Sequence, residues 1–216
     1  MQNKNLHICE IFHSIQGEST LAGLPCVFVR LSGCPLNCRW CDTKYASQES
    51  EPMSIADIML RVENFECPLV EVTGGEPLAQ AASLDLLDAL VDEGYEVMLE
   101  TCGSIDIGPV NKNVRRIVDV KCPSSGESDK NLYANLEKLS RRDEVKFVIA
   151  DRDDFAFALD VIENYNLMQR CPVLIAPVQD SLELATLAEW LLEVGLPLRL
   201  QPQMHKQIWG PEKRGV

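Results

Sequence analysis

Residues 27–43 read VFVRLSGCPLNCRWCDT, an apolar run ending at Leu31 followed by Cys34, Cys38 and Cys41 in the pattern CxxxCxxC. A short run of Val, Phe and Leu reads as a buried strand. A compact loop directly after it lets three thiolates converge on one metal centre, and soft sulfur ligands suit zinc or an iron–sulfur cluster.

Outward from this stretch, further short apolar runs recur at residues 69–72, 96–100, 117–120, 145–149, 173–175 and 198–200. Continuous Val/Ile/Leu runs are expected of parallel strands, with helices on the faces or with the strands lining a barrel. Between them, residues 83–93 place Leu84, Leu87, Leu90 and Val91 at helical spacing before Gly94 as a stop, and residues 54–62 and 181–194 look similar. Alternating strand and helix implies an α/β protein, and right-handed crossovers curl such a chain toward a barrel. Six or seven strands are too few for eight repeats. The expected architecture is a partial TIM-like barrel of about six parallel strands with outer helices, an open doubly wound sheet being the alternative. Residues 1–216 read as one domain, with no internal repeat, low-complexity tract or Gly/Ser/Pro linker. Residues 121–130, KCPSSGESDK, form the clearest loop, and the tail from Met204 shows no helical or strand period.

A chain of 216 residues buries about 70% of its unfolded surface, so its core needs no disulfides. The nine cysteines need another explanation, and with no N-terminal secretory pattern they point to the cytoplasm. No apolar run approaches the ~20 residues of a membrane span. The formal net charge of −13, from 33 acidic and 20 basic residues, repels a phosphate backbone and argues against nucleic acid. Acidity also serves simple solubility, so it excludes more than it identifies.

The three cysteines choose between zinc and iron by what is missing. A structural zinc closes its tetrahedron with four protein ligands, and Cys26 and Cys67 lie outside any tight second pair. Three ligands on a four-iron cube leave one iron open, able to chelate the amino and carboxylate groups of S-adenosylmethionine (SAM). One electron from the reduced cluster then cleaves the sulfonium to give a 5′-deoxyadenosyl radical, while the protein positions that radical and excludes side reactions. With Trp40 before the third cysteine, the pattern resembles the radical SAM superfamily. A second motif agrees: Thr73–Pro77, TGGEP, follows the run LVEV, and that superfamily places such a motif beside the methionine amino group. Its glycines let backbone approach a ligand at the carboxyl end of a strand. Taken alone, GGEP could be a simple turn.

The stretch IFHSIQGE at residues 11–18, Arg30, Thr43 and the terminal HKQIWGPEKRGV look like the 7-carboxy-7-deazaguanine synthase family, nearly end to end. The resemblance implies conversion of 6-carboxy-5,6,7,8-tetrahydropterin to 7-carboxy-7-deazaguanine with release of ammonia, toward queuosine and related deazapurines. It implies a [4Fe-4S] cluster on Cys34, Cys38 and Cys41, and Mg²⁺ on Thr43, whose plain alternative is capping the next turn. For SAM it points to Trp40, Cys41, Asp42, Gly75, Cys122, Pro123 and Ser124, and to Ala176, Pro177, Val178 and Gln179. For substrate it points to Ile15, Gln16, Gly17, Glu18, Arg30, Thr73 and the carboxylate of Val216, with the tail 204–216 folded over the site. Arg30 offers a fork of donors matched to a carboxylate, its alternative being an ion pair at a strand end. A homodimer and a reducing donor such as flavodoxin or ferredoxin are also implied. No residue is assigned as catalytic, since the radical comes from SAM.

Cys122 invites a redox reading as a thiol in a polar loop, whereas Cys9, Cys26, Cys67, Cys102 and Cys171 read as small core residues. His7, His13 and His205 read as structural, and the acids on helices 83–93 and 181–194 as solvated faces. Two other functions share part of this pattern: an activase that creates a glycyl radical on a partner protein, and a zinc-stabilised binding module without catalysis.

Overall fold

Seven strands pair in parallel in the order of the chain, and that order decides the architecture. In the computed structural model, which describes residues 5–211 and 213–216, one nine-stranded sheet runs β3-β1-β2-β4-β5-β6-β7-β8-β9. Its strands are β1 (Asn5–Ile15), β2 (Pro25–Leu31), β3 (Glu51–Ser54), β4 (Leu69–Gly74), β5 (Glu96–Thr101), β6 (Arg115–Val120), β7 (Glu144–Ile149), β8 (Val173–Pro177) and β9 (Arg199–Leu200). From β2 to β9 each strand joins the same growing edge in parallel. A doubly wound sheet reverses its order at a switch point; here no reversal occurs, so the crossovers lie on one side and the sheet is a partial barrel. Its ends, β3 and β9, are not paired with each other.

The helices are α1 (Ile55–Glu63), α2 (Ser83–Asp92), α3 (Arg152–Asn164), α4 (Leu167–Arg170), α5 (Leu184–Val194) and α6 (Met204–Trp209). Buried residues of α1, α2, α3 and α5, among them Ile58, Leu86, Phe155 and Leu187, pack in one core with Val29, Val72, Leu99, Val118 and Phe147 of the sheet's outer face. The register puts the opposite set, Phe28, Glu71 and Met98 in one row and Asp119 and Lys146 in another, on the inner face.

All seven expected strands are present and parallel. Two antiparallel strands, β1 and β3, extend the sheet beyond the expected set. In β1, Ile8 pairs with Leu31 but Glu10 pairs with Arg30, so Cys9 is an extra residue that turns Glu10 and Phe12 to the inner face. This bulge breaks the alternation that would mark the strand. Helix α3 also adds to the expected helices; Asp151 caps it by accepting from the Asp154 N–H at 2.9 Å. The tail corrects a second expectation. It is not aperiodic, because α6 forms there, and the loop 121–130 tightens into 3₁₀ turns at Pro123–Ser125 and Ser128–Lys130.

One buried ion pair braces the outer face. Arg116 donates from Nε and Nη2 to the two oxygens of Asp143 at 2.9 and 2.6 Å, and the Ser140 N–H and hydroxyl add donors at 2.7 and 2.8 Å. Burial opposes the charged carboxylate, but these donors outweigh it and hold Asp143 below the ordinary carboxylate range. Asp143→Ala strands the buried guanidinium, so thermal or denaturant unfolding should show a loss of about 3–5 kcal/mol at neutral pH. Because the folded-state value is depressed, the stabilisation is present above the unfolded value of about 3.9 and lost as pH falls through the lower folded one. The gap between variant and wild type should therefore narrow below about pH 4; a constant gap would contradict this assignment.

Candidate active site

The site begins where β2 and β4 end side by side. Leu31 pairs with Gly74, and beyond them the Glu76 N–H donates to the Gly33 carbonyl at 2.8 Å. A Cβ on Gly75 would lie 1.9 Å from that carbonyl oxygen, so glycine is required for the TGGEP turn to seat on the root of the cysteine loop. Glu76 is fully buried and accepts from the Thr101 hydroxyl at 2.9 Å and the Cys102 N–H at 2.6 Å, tying the turn to the end of β5.

A cavity of about 480 Å³ opens over this seam and over the inner face of the sheet. Cys34, Cys38 and Cys41 line it together with Trp40, Asp42, Thr43, Gly75, Pro177, Val178 and Gln179. Ile15, Gln16, Gly17, Glu18, Arg30, Thr73 and Val216 line the same cavity. Among the described residues no three His, Cys, Asp or Glu side chains stand close enough to hold an ion as placed. The three thiols share one wall without forming a closed set. Cys122, Pro123, Ser124 and Ala176 do not line the cavity. Cys122 is buried, which pushes its thiol up, so it is a core residue and not a polar-loop thiol. Ser124 instead donates its N–H to Asp154 at 2.9 Å and its hydroxyl to Asp151 at 3.0 Å.

Two further expectations change. Cys102 is buried but lines the cavity, hydrogen-bonded to Ser104 at 3.1 Å and facing Cys34. That contact is the largest cause lowering the Cys34 thiol to about 7. His205, read as structural, also lines the cavity: it packs on Gly17, where a Cβ would meet its Nδ1 at 2.4 Å, and burial lowers its titration and favours the neutral ring.

The cavity floor holds charges that the motifs do not name. Lys146, 6% exposed, donates to Glu18 at 2.6 Å and to Glu100, and lies 3.9 Å from Asp119. Burial opposes its charge, yet the carboxylates of Glu100 and Glu18 raise it well above the ordinary lysine range. Glu18 is likewise opposed by burial but lowered by Lys146. Glu71 is the opposite case: burial and the nearby Glu100 raise it well above the ordinary carboxylate range, and it accepts from Gln16 Nε2. Asp119, which lines the cavity, pairs with Lys121 at 2.9 Å through Oδ2, while its buried Oδ1 has no partner among the described residues. An orphaned acceptor near Cys38 is what a cationic or N–H-bearing cofactor would satisfy, which suits SAM, while three soft thiols on one loop suit an iron–sulfur cluster. A signal for these residues exists in the sequence: Glu71, Asp119 and Lys146 are single charges inside otherwise apolar runs, and Glu100 closes the run 96–100.

The tail closes one side of the cavity. The Met204 N–H donates to the Gly17 carbonyl at 3.0 Å, Gln203 donates to Glu18 at 2.7 Å, and Lys206 donates to Asp42 at 2.7 Å. Glu212 lies outside the described residues.

Comparison with known proteins agrees with this geometry. The Radical SAM superfamily pattern matches residues 28–171. The 7-carboxy-7-deazaguanine synthase of Chlorobaculum tepidum is 46% identical over 214 residues, covering 98% of this chain and 97% of the relative. That of Koribacter versatilis is 41% identical over 226 residues, covering 98% and 100%. The crystal structure of QueE from Escherichia coli superposes with a TM-score of 0.78 at 24% identity, covering 93% of this chain and 95% of that one, which shows the shared fold.

The raised Glu71 carboxyl is testable without turnover. Above about pH 4.3 the unfolded chain ionises this carboxyl while the folded chain keeps it protonated, so folding costs the uptake of a proton and stability falls as pH rises toward the raised folded value. Glu71→Gln keeps an acceptor for Gln16 and removes the titration, so it should unfold at higher temperature than wild type, with a margin that grows from about pH 5 to pH 8. Destabilisation at pH 8 would show that Glu71 is charged.

Proposed function

The chain belongs to the 7-carboxy-7-deazaguanine synthase family of the radical SAM superfamily, and on that premise we propose that it converts 6-carboxy-5,6,7,8-tetrahydropterin to 7-carboxy-7-deazaguanine with release of ammonia. It is a radical SAM lyase of 7-deazapurine and queuosine biosynthesis. The observation that carries the substrate reading is the meeting of the IQGE loop, Arg30 and the C-terminal Val216 in one cavity with the three cysteines.

Cys34, Cys38 and Cys41 would hold the [4Fe-4S] cluster, and SAM would lie against Trp40, Asp42, Gly75 and residues 177–179. When bound, this pair supplies the radical that abstracts hydrogen. The chain's own residues do the positioning. Among the described contacts Arg30 is engaged through Nε, by Glu10 at 2.8 Å, which leaves guanidinium donors for the substrate carboxylate. Glu18, kept ionised by Lys146, accepts from ring N–H groups, and Glu71 behind Gln16, its carboxyl pushed up by burial and Glu100, favours the uncharged form there. The Val216 carboxylate accepts from the opposite edge.

Mg²⁺ at Thr43 is part of the same proposal. The Thr43 side chain does not cap the next turn; its hydroxyl donates to Asp42 at 2.8 Å, on the cavity wall. One hydroxyl suits an ion that retains waters and shares substrate oxygens. The reading extends to one domain over residues 1–216, a homodimer, a cytoplasmic setting and reduction by flavodoxin or ferredoxin. Among the described residues no helix is long and apolar enough to cross a membrane.

The test is turnover of reconstituted protein with SAM, reductant and Mg²⁺ but no partner protein. Consumption of the carboxytetrahydropterin with formation of the deazaguanine is expected. Extending the chain beyond Val216 should raise the substrate KM about tenfold, the scale of one lost charge-assisted hydrogen bond. SAM cleavage without pterin consumption would overturn the substrate reading.

A further inference from the structure

The last residues of the chain are held by a contact that none of the cofactor or substrate assignments uses. Arg214 donates from Nη1 and Nη2 to the two oxygens of Glu49 at 3.0 and 2.7 Å. Its guanidinium carbon also lies 3.5 Å from the ring centroid of Tyr45. Tyr45 sits on the 3₁₀ turn Lys44–Ser47, directly after Thr43, and its hydroxyl donates to Glu10 Oε1 at 2.9 Å. That same oxygen accepts from Arg30 Nε at 2.8 Å. An unbroken series of contacts therefore runs from the tail to Arg30.

We infer that Arg214 is a positioning residue for the pterin: its clasp on Glu49 and Tyr45 holds the Val216 carboxylate in the cavity and, through Tyr45 and Glu10, fixes the orientation of Arg30. This rests on the reading of Arg30 and Val216 as substrate contacts. Chain geometry supports it. Arg214 is two residues from Val216, and two residues span at most about 7 Å, so fixing Arg214 confines Val216, which lines the same cavity, to a small volume. The other tail tethers, through Gln203, Met204 and Lys206, hold α6 to the sheet side of the cavity, whereas the Lys213 N–H beyond it bonds only within the tail, to the Gly210 carbonyl at 3.5 Å, among the described contacts.

A lone exposed ion pair contributes little, and both partners are about half exposed here, at 46% and 52%. The clasp differs in being bidentate and stacked on an aromatic ring, which fixes the guanidinium plane from two directions. Glu10, held by donors from both sides, cannot swing away with Arg30. An exposed electrostatic clasp is screened by salt, whereas the buried floor around Lys146 is not. Ionic strength therefore separates the two.

The experiment compares reconstituted wild type, Arg214→Ala, Tyr45→Phe and the exchange Glu49→Arg/Arg214→Glu. For Arg214→Ala the pterin KM should rise about tenfold at low salt with kcat changed less than about twofold. Wild-type KM should rise with salt toward that of Arg214→Ala, whose own KM stays nearly flat. Tyr45→Phe keeps the stacking and loses the bond to Glu10, so it should fall between them, and the charge exchange should recover part of the loss. Equal KM values for Arg214→Ala and wild type at low salt would overturn the clasp. If deleting residues 214–216 raises KM while Arg214→Ala does not, only the clasp fails; if neither does, the reading of Val216 fails with it.

Discussion

The seat of the TGGEP turn on the cysteine loop is the contact on which the rest depends. It is made by backbone alone, from Gly75 and Glu76 to Leu31 and Gly33, and it requires the missing side chain at Gly75. A buried carboxylate at Glu76 would be costly without partners; with Thr101, Cys102 and Leu78 as donors it becomes a rivet between the ends of β4 and β5. Three strand ends are thus locked at the mouth of the sheet, and the cysteine loop leaves from the first of them.

The second determinant is the sidedness of a sheet wound in one direction. Helices cover the outer face, which is apolar, while the inner face is left to charges. Lys146 gathers Glu18 and Glu100, so two carboxylates tolerate burial, whereas burial and the nearby Glu100 push Glu71 well above the ordinary carboxylate range. The outcome is a floor with fixed donors and acceptors in a low-dielectric setting, suited to orienting a polar bicyclic ring. The tail lines a further wall, Gln203 and Lys206 reaching back 185 and 164 positions in sequence to Glu18 and Asp42.

Much of this was legible in the sequence, and the failures have physical causes. Apolar runs marked all seven parallel strands because both faces of such strands are largely shielded. The cysteine loop and TGGEP were legible because their spacing is local. Strand β1 was obscured by its bulge at Cys9, and α6 by its short length and its dependence on distant partners. Cys122 was misread from the polarity of its neighbours, since a loop can bury one side chain while exposing the rest. His205 and Cys102 gain their place from Gly17 and Cys34, which only the folded chain brings near. The charges of the floor were visible one by one inside apolar runs; that they share a face depends on register.

Held by Cys34, Cys38 and Cys41 as proposed, the cluster would leave one iron for SAM. The most direct measurement is electron paramagnetic resonance of the anaerobically reconstituted, reduced protein, with SAM labelled isotopically at its amino nitrogen. The expected result is about four iron and four sulfide per chain, a spectrum that changes on adding SAM, and hyperfine coupling between cluster and labelled nitrogen. A spectrum unaltered by SAM with no coupling, or tight stoichiometric zinc without sulfide, would contradict it.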